Sequence, residues 1–104
     1  MLYYFYTDWC PYCKKALPEW IAFKEYVNNT TKYDASYNII FLEIDCEEDA
    51  RTATRFNIES YPSILMFYNG KTYIYDAKPD QSNLIQFLDS SLQVSRENKW
   101  LGIF

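Results

Sequence analysis

The sequence contains no histidine, only three cysteines and only two glycines. A structural zinc site takes four Cys or His ligands, so this chain cannot supply one alone. Any proton moved near neutral pH must use a group other than imidazole. No basic run exceeds the pair Lys14-Lys15, and the net charge is −4. That argues against the clustered basic face of a nucleic-acid binder. No apolar stretch reaches transmembrane length, and no basic segment opens a secretory leader. Internal repeats, linkers and low-complexity segments are also missing. These absences predict a protein kept in a reducing, cytoplasmic compartment, with neither membrane nor nucleic acid as partner.

What is present fits one folded domain over residues 1–104, with a core spanning 2–92 and a tail over 93–104. The chain is 49% apolar and 20% aromatic, enough for a single hydrophobic core. Leu2 to Thr7 reads as a strand buried on both faces. From Cys13 onward, Ala16, Leu17, Trp20, Ile21, Phe23 and Val27 recur at helical spacing, with charged residues filling most of the other face. Pro18 falls inside that helix and predicts a kink. Asn28 to Tyr37 is a polar loop, and Asn38 to Asp45 is a second strand. Glu47 to Phe56 predicts a helix with acidic residues in its first turn. Ile64 to Tyr68 and Lys71 to Tyr75 read as strands joined by Asn69-Gly70, a strong hairpin signal. Asp80 or Ser82 caps a last helix whose apolar face is Leu84, Ile85, Leu88 and Leu92. The first strand, helix and second strand form a βαβ unit, whose strands should be parallel.

Cys10 and Cys13 fall where the first strand gives way to the first helix. In a reducing compartment such a pair is more often catalytic or metal-binding than a permanent crosslink. Helix N-termini carry partial positive charge, which stabilises a thiolate. Cys10 is the outer, exposed thiol, and Cys13 stands one turn on, close enough to displace a mixed disulfide formed at Cys10. Lys14 and Lys15 add modest positive potential, which Asp8 opposes. The third cysteine, Cys46, follows a strand and reads as a small, semi-buried residue. The acidic cluster of Asp45, Glu47, Glu48 and Asp49 is better explained by a helix start than by a metal site.

Trp9-Cys10-Pro11-Tyr12-Cys13-Lys14 resembles the active site of the thioredoxin superfamily, and Pro18 matches that family's helix-kinking proline. Phe41 to Asp45 resembles its next central strand. Tyr61-Pro62-Ser63 stands where the family keeps a cis-proline, and Phe67 to Lys71 resembles the hairpin that follows. The resemblance implies an α/β thioredoxin fold: a mixed sheet of about four strands flanked by helices, without the family's usual first strand and helix. Asn38 to Asp45 then becomes an edge, with the tail segment Trp100 to Phe104 covering the vacated face or two chains pairing there. Cys-Pro-Tyr-Cys is similar to glutaredoxins, which work at about −200 to −230 mV against about −270 mV for thioredoxin. The Gly-Gly pair and Thr-Val-Pro segment of glutaredoxins are absent. Tyr4 occupies the place of the family's buried acid and, as a phenol of pKa about 10, is a poor base.

By this resemblance the chain is a protein-disulfide oxidoreductase. Cys10 is the nucleophile, Cys13 resolves, and together they form the redox-active disulfide. Trp9, Pro11, Tyr12, Tyr61 and Pro62 form the substrate-binding rim. Neither a metal nor an organic cofactor is implied. The partners are protein disulfides or dithiols, with a reductase or glutathione as the electron source. Two rivals stand beside this reading: a glutathione-dependent glutaredoxin-like activity, and a binding or assembly module with little catalysis.

Overall fold

Leu2–Tyr6 forms β1, a run of β-forming residues whose first four side chains are buried. Burial on both faces follows from its place in the sheet. It lies between β2 (Phe41–Asp45) and β3 (Ser63–Tyr68), with β4 (Lys71–Ile74) outside β3. The computed structural model describes residues 1–33 and 35–94. Among them the sheet order is β2-β1-β3-β4, with β2 and β4 as edges. β1 pairs parallel to β2, Tyr4 opposite Glu43, and antiparallel to β3. The parallel pairing predicted for the βαβ unit is present. The β3–β4 turn is Asn69-Gly70, with φ values of 53° and 76°. Both residues are left-handed, as a two-residue hairpin turn of this twist requires.

α1 runs from Pro11 to Asn29, α2 from Ala50 to Arg55 and α3 from Gln81 to Leu92. Pro11 occupies the first turn of α1, where a missing N–H costs nothing. Pro18 lies within α1, where its ring leaves the Lys14 carbonyl without the usual helical donor. Asp80 caps α3 by accepting from the Asn83 amide at 2.9 Å, and left-handed Gln93 closes it.

Alternation along β1 sorts the core into two layers. Leu2 and Tyr4 join Ala16, Trp20, Phe23 and Val27 of α1 and Leu84, Leu88 and Leu92 of α3. Tyr3 and Phe5 face the other way, with Leu65, Cys46 and Ala53. Trp20, Phe23, Leu84 and Leu88 are fully buried, each stabilising the fold by about 1.5–3 kcal/mol.

Several boundaries differ from expectation. β2 starts at Phe41, not Asn38, because Asn38 is still turning: its φ is 48° and its amide bonds the Ala35 carbonyl. The polar loop is shorter, since α1 continues to Asn29 and a 3-10 turn occupies Ala35–Tyr37. α2 starts at Ala50 with Asp49 as its cap. Glu47 and Glu48 lie before it, their amides donating to Asp45, so no acidic residue occupies the first turn. Leu17 and Ile21 are 40% and 45% exposed rather than buried. The stripe Cys13-Ala16-Trp20-Phe23-Val27 holds the centre of the inward face, and residues one step on lie about 100° round the helix. The tail segment Trp100 to Phe104, and the covering role expected of it, lie outside the described residues.

Candidate active site

The site forms where β1 ends and α1 begins. Cys10 is the N-cap of α1, with extended backbone at φ −80° and ψ 111°. That conformation turns its Sγ back over the helix start, where it accepts from the Cys13 amide at 3.0 Å. An N-cap side chain ordinarily offers an oxygen here; in this chain the acceptor is sulfur. Cys10 and Cys13 are joined as a disulfide, with Cα atoms 5.2 Å apart. The Cys10 amide bonds the Thr7 carbonyl, and its own carbonyl takes the Lys14 amide, both at 3.3 Å.

Cys10 is only 3% exposed, and Cys13 4%. The outer thiol was expected in the open. The structure places it under cover because its sulfur folds onto the first-turn amide and is bonded to Cys13. Its flanks do project: Trp9 is 62% and Tyr12 70% exposed. Pro11 is exposed too. Trp9 is tethered at two points. Its indole N–H donates to Glu47 at 3.2 Å, and its ring meets Tyr61 edge-on at 6.0 Å. The Tyr61–Pro62 bond is cis. Tyr61 precedes the β1–β3 register, which reaches only to Ser63. Trp9 thus meets Tyr61, and Tyr12 shares a groove with Tyr61 and Pro62.

A groove of about 790 Å³ runs beside this rim, between α1 and the β4–α3 connection. Tyr12, Lys15, Tyr61, Pro62, Tyr75 and Lys78 are among its walls. Cys46 lies near the rim yet is buried. Burial pushes its thiol pKa up, only partly offset by hydrogen bonds with Tyr61 and the Tyr6 backbone. A thiol of this kind is unreactive. Among the described residues, no three His, Cys, Asp or Glu groups are arranged to hold a metal ion.

Tyr4, placed by the resemblance at the buried-acid position, donates its hydroxyl to the Cys13 carbonyl at 2.6 Å, a bond that sequence reasoning missed along with Thr7 and Glu43. Burial, then neighbouring Tyr6, pushes its phenol up to about 12. It braces the backbone under Cys13. Thr7 and Glu43 line the cavity behind Cys13. That Tyr4 and Glu43 share a ladder position follows from the β1–β2 register and from no local sequence signal.

A parallel βαβ unit, a cis-proline loop and a C-x-x-C disulfide at a helix N-terminus define a thioredoxin-fold domain. The thioredoxin family model matches residues 1–90, and the chain belongs to that family. It is 30% identical over 89 residues to Bloodstream-specific protein 2 of Trypanosoma brucei brucei, covering 85% of this chain and 16% of that protein. It is 27% identical over 84 residues to Protein disulfide-isomerase A4 of Bos taurus, covering 81% of this chain and 12% of that protein. The chain therefore spans a minor part of these relatives' length. In fold it is similar to the J-Trx1 fragment of ERdj5, with a TM-score of 0.74 and 20% identity over 88% of this chain and 42% of that one. Family and cysteine pair together support a thiol–disulfide oxidoreductase at the general level.

Proposed function

We propose that this protein exchanges disulfides with protein substrates through Cys10 and Cys13. In the reduced protein, the Cys10 thiolate attacks a substrate disulfide and forms a mixed disulfide. Cys13 then attacks the Cys10 sulfur, releases the second substrate thiol and leaves the bridge. The reverse sequence oxidises substrate thiols. One observation carries this reading: the Cys10 sulfur accepts the Cys13 amide at the opening of α1 while bonded to the Cys13 sulfur. That amide and the helix dipole favour the anionic form of the sulfur, lowering its pKa and readying it for attack.

The rim of Trp9, Pro11, Tyr12, Tyr61 and Pro62 serves as the docking surface for substrate. Tyr61, lying outside the strand ladder, offers backbone groups to an extended substrate segment. Electrons come from a reductase or from glutathione. Glutathione is the second reading: the groove adjoining Tyr12 offers Lys15 and Lys78 to a carboxylate-bearing peptide, although Glu19 and Asp80 on the same walls balance their charge. Turnover with glutathione compared against turnover with thioredoxin reductase separates the two. Among the described residues β2 is an edge strand, which supports pairing of two chains there. The exchange reading itself is tested by insulin reduction. A rate above that of the dithiol alone, abolished by Cys10→Ser, is expected; no rate above background makes the domain a binding module.

A further inference from the structure

The two faces of the sheet are covered unequally. α1 and α3, of 19 and 12 residues, pack on one face. α2, of 6 residues, packs on the other. Alternation assigns each strand residue to a face. Tyr3, Phe5 and Leu65 point to the α2 side. Ile74 lies opposite Leu65, and Phe67 is two residues on, so both share that side. Met1 joins them: its backbone pairs with Phe67, and its sulfur accepts from the Tyr3 hydroxyl at 3.4 Å. Ile39 and Phe41 pack on the α1 side, so Ile40 between them faces the other way. Met1, Ile40, Phe67 and Ile74 are 38% to 73% exposed. Half of the exposed large hydrophobic side chains among the described residues thus lie on one sheet face. A contiguous apolar patch of this kind marks a surface that something covers.

The chain itself carries a segment of matching chemistry, and the direction of α3 brings it to the right end of the sheet. The Gln81 amide at the start of α3 donates to Glu19 in α1 at 2.9 Å. Asp89 near its end pairs with Lys32 and accepts the Tyr33 hydroxyl at 2.6 Å, both beyond the end of α1. α3 therefore runs alongside α1 in the same direction, away from the disulfide. Val94 emerges at the end of the sheet where β1 starts, beside Met1 and Ile40. Beyond it come five polar residues, Ser95 to Lys99, and then Trp100-Leu101-Gly102-Ile103-Phe104, with four large apolar side chains and no charge. Five extended residues span about 17 Å, more than the spacing of packed layers, about 10 Å. The polar stretch is long enough to round the end of the sheet.

We propose that the segment Trp100 to Phe104 folds back onto this sheet face of its own chain and is seated on Met1, Ile40, Phe67 and Ile74. It covers apolar surface that would otherwise draw a second chain. The aromatic rim beside the disulfide is then left as the open apolar surface at which partners meet the protein. Leu17 and Ile21 form a rival seat, but they are two residues against four and lie further along α1 towards the cysteines. The proposal is independent of the exchange reading.

The test is nuclear Overhauser spectroscopy on the full chain with isotope-labelled isoleucine methyl groups. Cross-peaks from the Ile40 and Ile74 methyls to the Trp100 and Phe104 rings are expected. A second sample mixes labelled with unlabelled chains and reads only contacts between copies; those peaks should be absent from it. Trp100→Ala should abolish the Trp100 peaks and raise the fluorescence of a dye that binds apolar surface several-fold, with insulin reduction within twofold of the parent. Phe104→Ala carries the same test if Trp100→Ala does not fold. Ile74→Ser on a bare face changes the unfolding equilibrium constant by no more than about twofold. Under the segment it should cost more, and combined with Trp100→Ala it should depart from additivity by about fivefold. Missing cross-peaks, additive effects, or ring contacts to the Ile21 methyl in place of Ile40 and Ile74 would each overturn the proposal. Peaks that arise only between copies would overturn it too, by making a second chain the occupant. Loss of insulin reduction in the parent would sink the exchange reading and leave this proposal standing.

Discussion

The two sides of the disulfide are built from opposite materials. In front stand Trp9 and Tyr12, 62% and 70% exposed, against the edge of Tyr61. Behind stand Tyr4 and Thr7, at 1% and 2% exposure, on a cavity that the exposed Glu43 also lines. Front residues contribute little to the core and are free to meet a partner. Those behind are held by the sheet, and the Tyr4 hydroxyl is fixed on the Cys13 carbonyl.

The largest expected effect lies on the bridge itself. Cys10→Ser should abolish insulin reduction, whereas Cys13→Ser should accumulate mixed disulfides, visible as adducts on non-reducing gels that dithiol removes. If Cys13→Ser turns over normally, front and back do not share one exchange chemistry. Next comes the front. Tyr12→Ala should slow insulin reduction several-fold while changing stability by no more than about 0.5 kcal/mol, as exposed substitutions do. A large loss in denaturant midpoint would mean that the rim is structural.

The back predicts the reverse pattern. Tyr4→Phe removes the bond to the Cys13 carbonyl and should cost about 1 kcal/mol in urea unfolding. It should also alter the alkaline limb. The folded phenol is pushed up to about 12, while the unfolded one ionises near 10. Stability from this group is therefore fully present below about pH 10 and lost as pH rises towards 12. The parent should weaken steeply over that window. Tyr4→Phe should weaken less steeply, though not flatly, because Tyr75 is also pushed up to about 12. Identical slopes would contradict the placement of the Tyr4 hydroxyl. The smallest effect is Thr7→Val. Removing a hydroxyl that has no hydrogen-bond partner among the described residues should leave stability within about 0.5 kcal/mol.

Much of the front was legible in the sequence, because its signals are local. Trp9-Cys10-Pro11-Tyr12-Cys13 sits between a β-forming run and a helical stripe, and Asn69-Gly70 announces its own turn. Pro62 stands in an X-Pro bond where the resemblance expects cis, and the bond is cis. The back was not legible, because it depends on register. Nothing near Glu43 in the chain says that it faces Tyr4; a shift of one residue would send it to the other side of the sheet. Cys10 was misjudged for a related reason. Its burial comes from a cap geometry that draws sulfur onto the Cys13 amide, and exposed flanks say nothing of that. Leu17 and Ile21 show the limit of periodicity: helical spacing identifies an apolar side, but the partners Leu84 and Leu88 decide where its centre lies.

The central claim is that the Cys10 sulfur is stabilised as an anion by the amide opening α1. Thiolate absorbance of Cys13→Ser, titrated against Cys10→Ser/Cys13→Ser to remove Cys46, tests it directly. Cys10 should ionise well below the usual thiol value of about 8.5. A midpoint at or above that value would contradict the account.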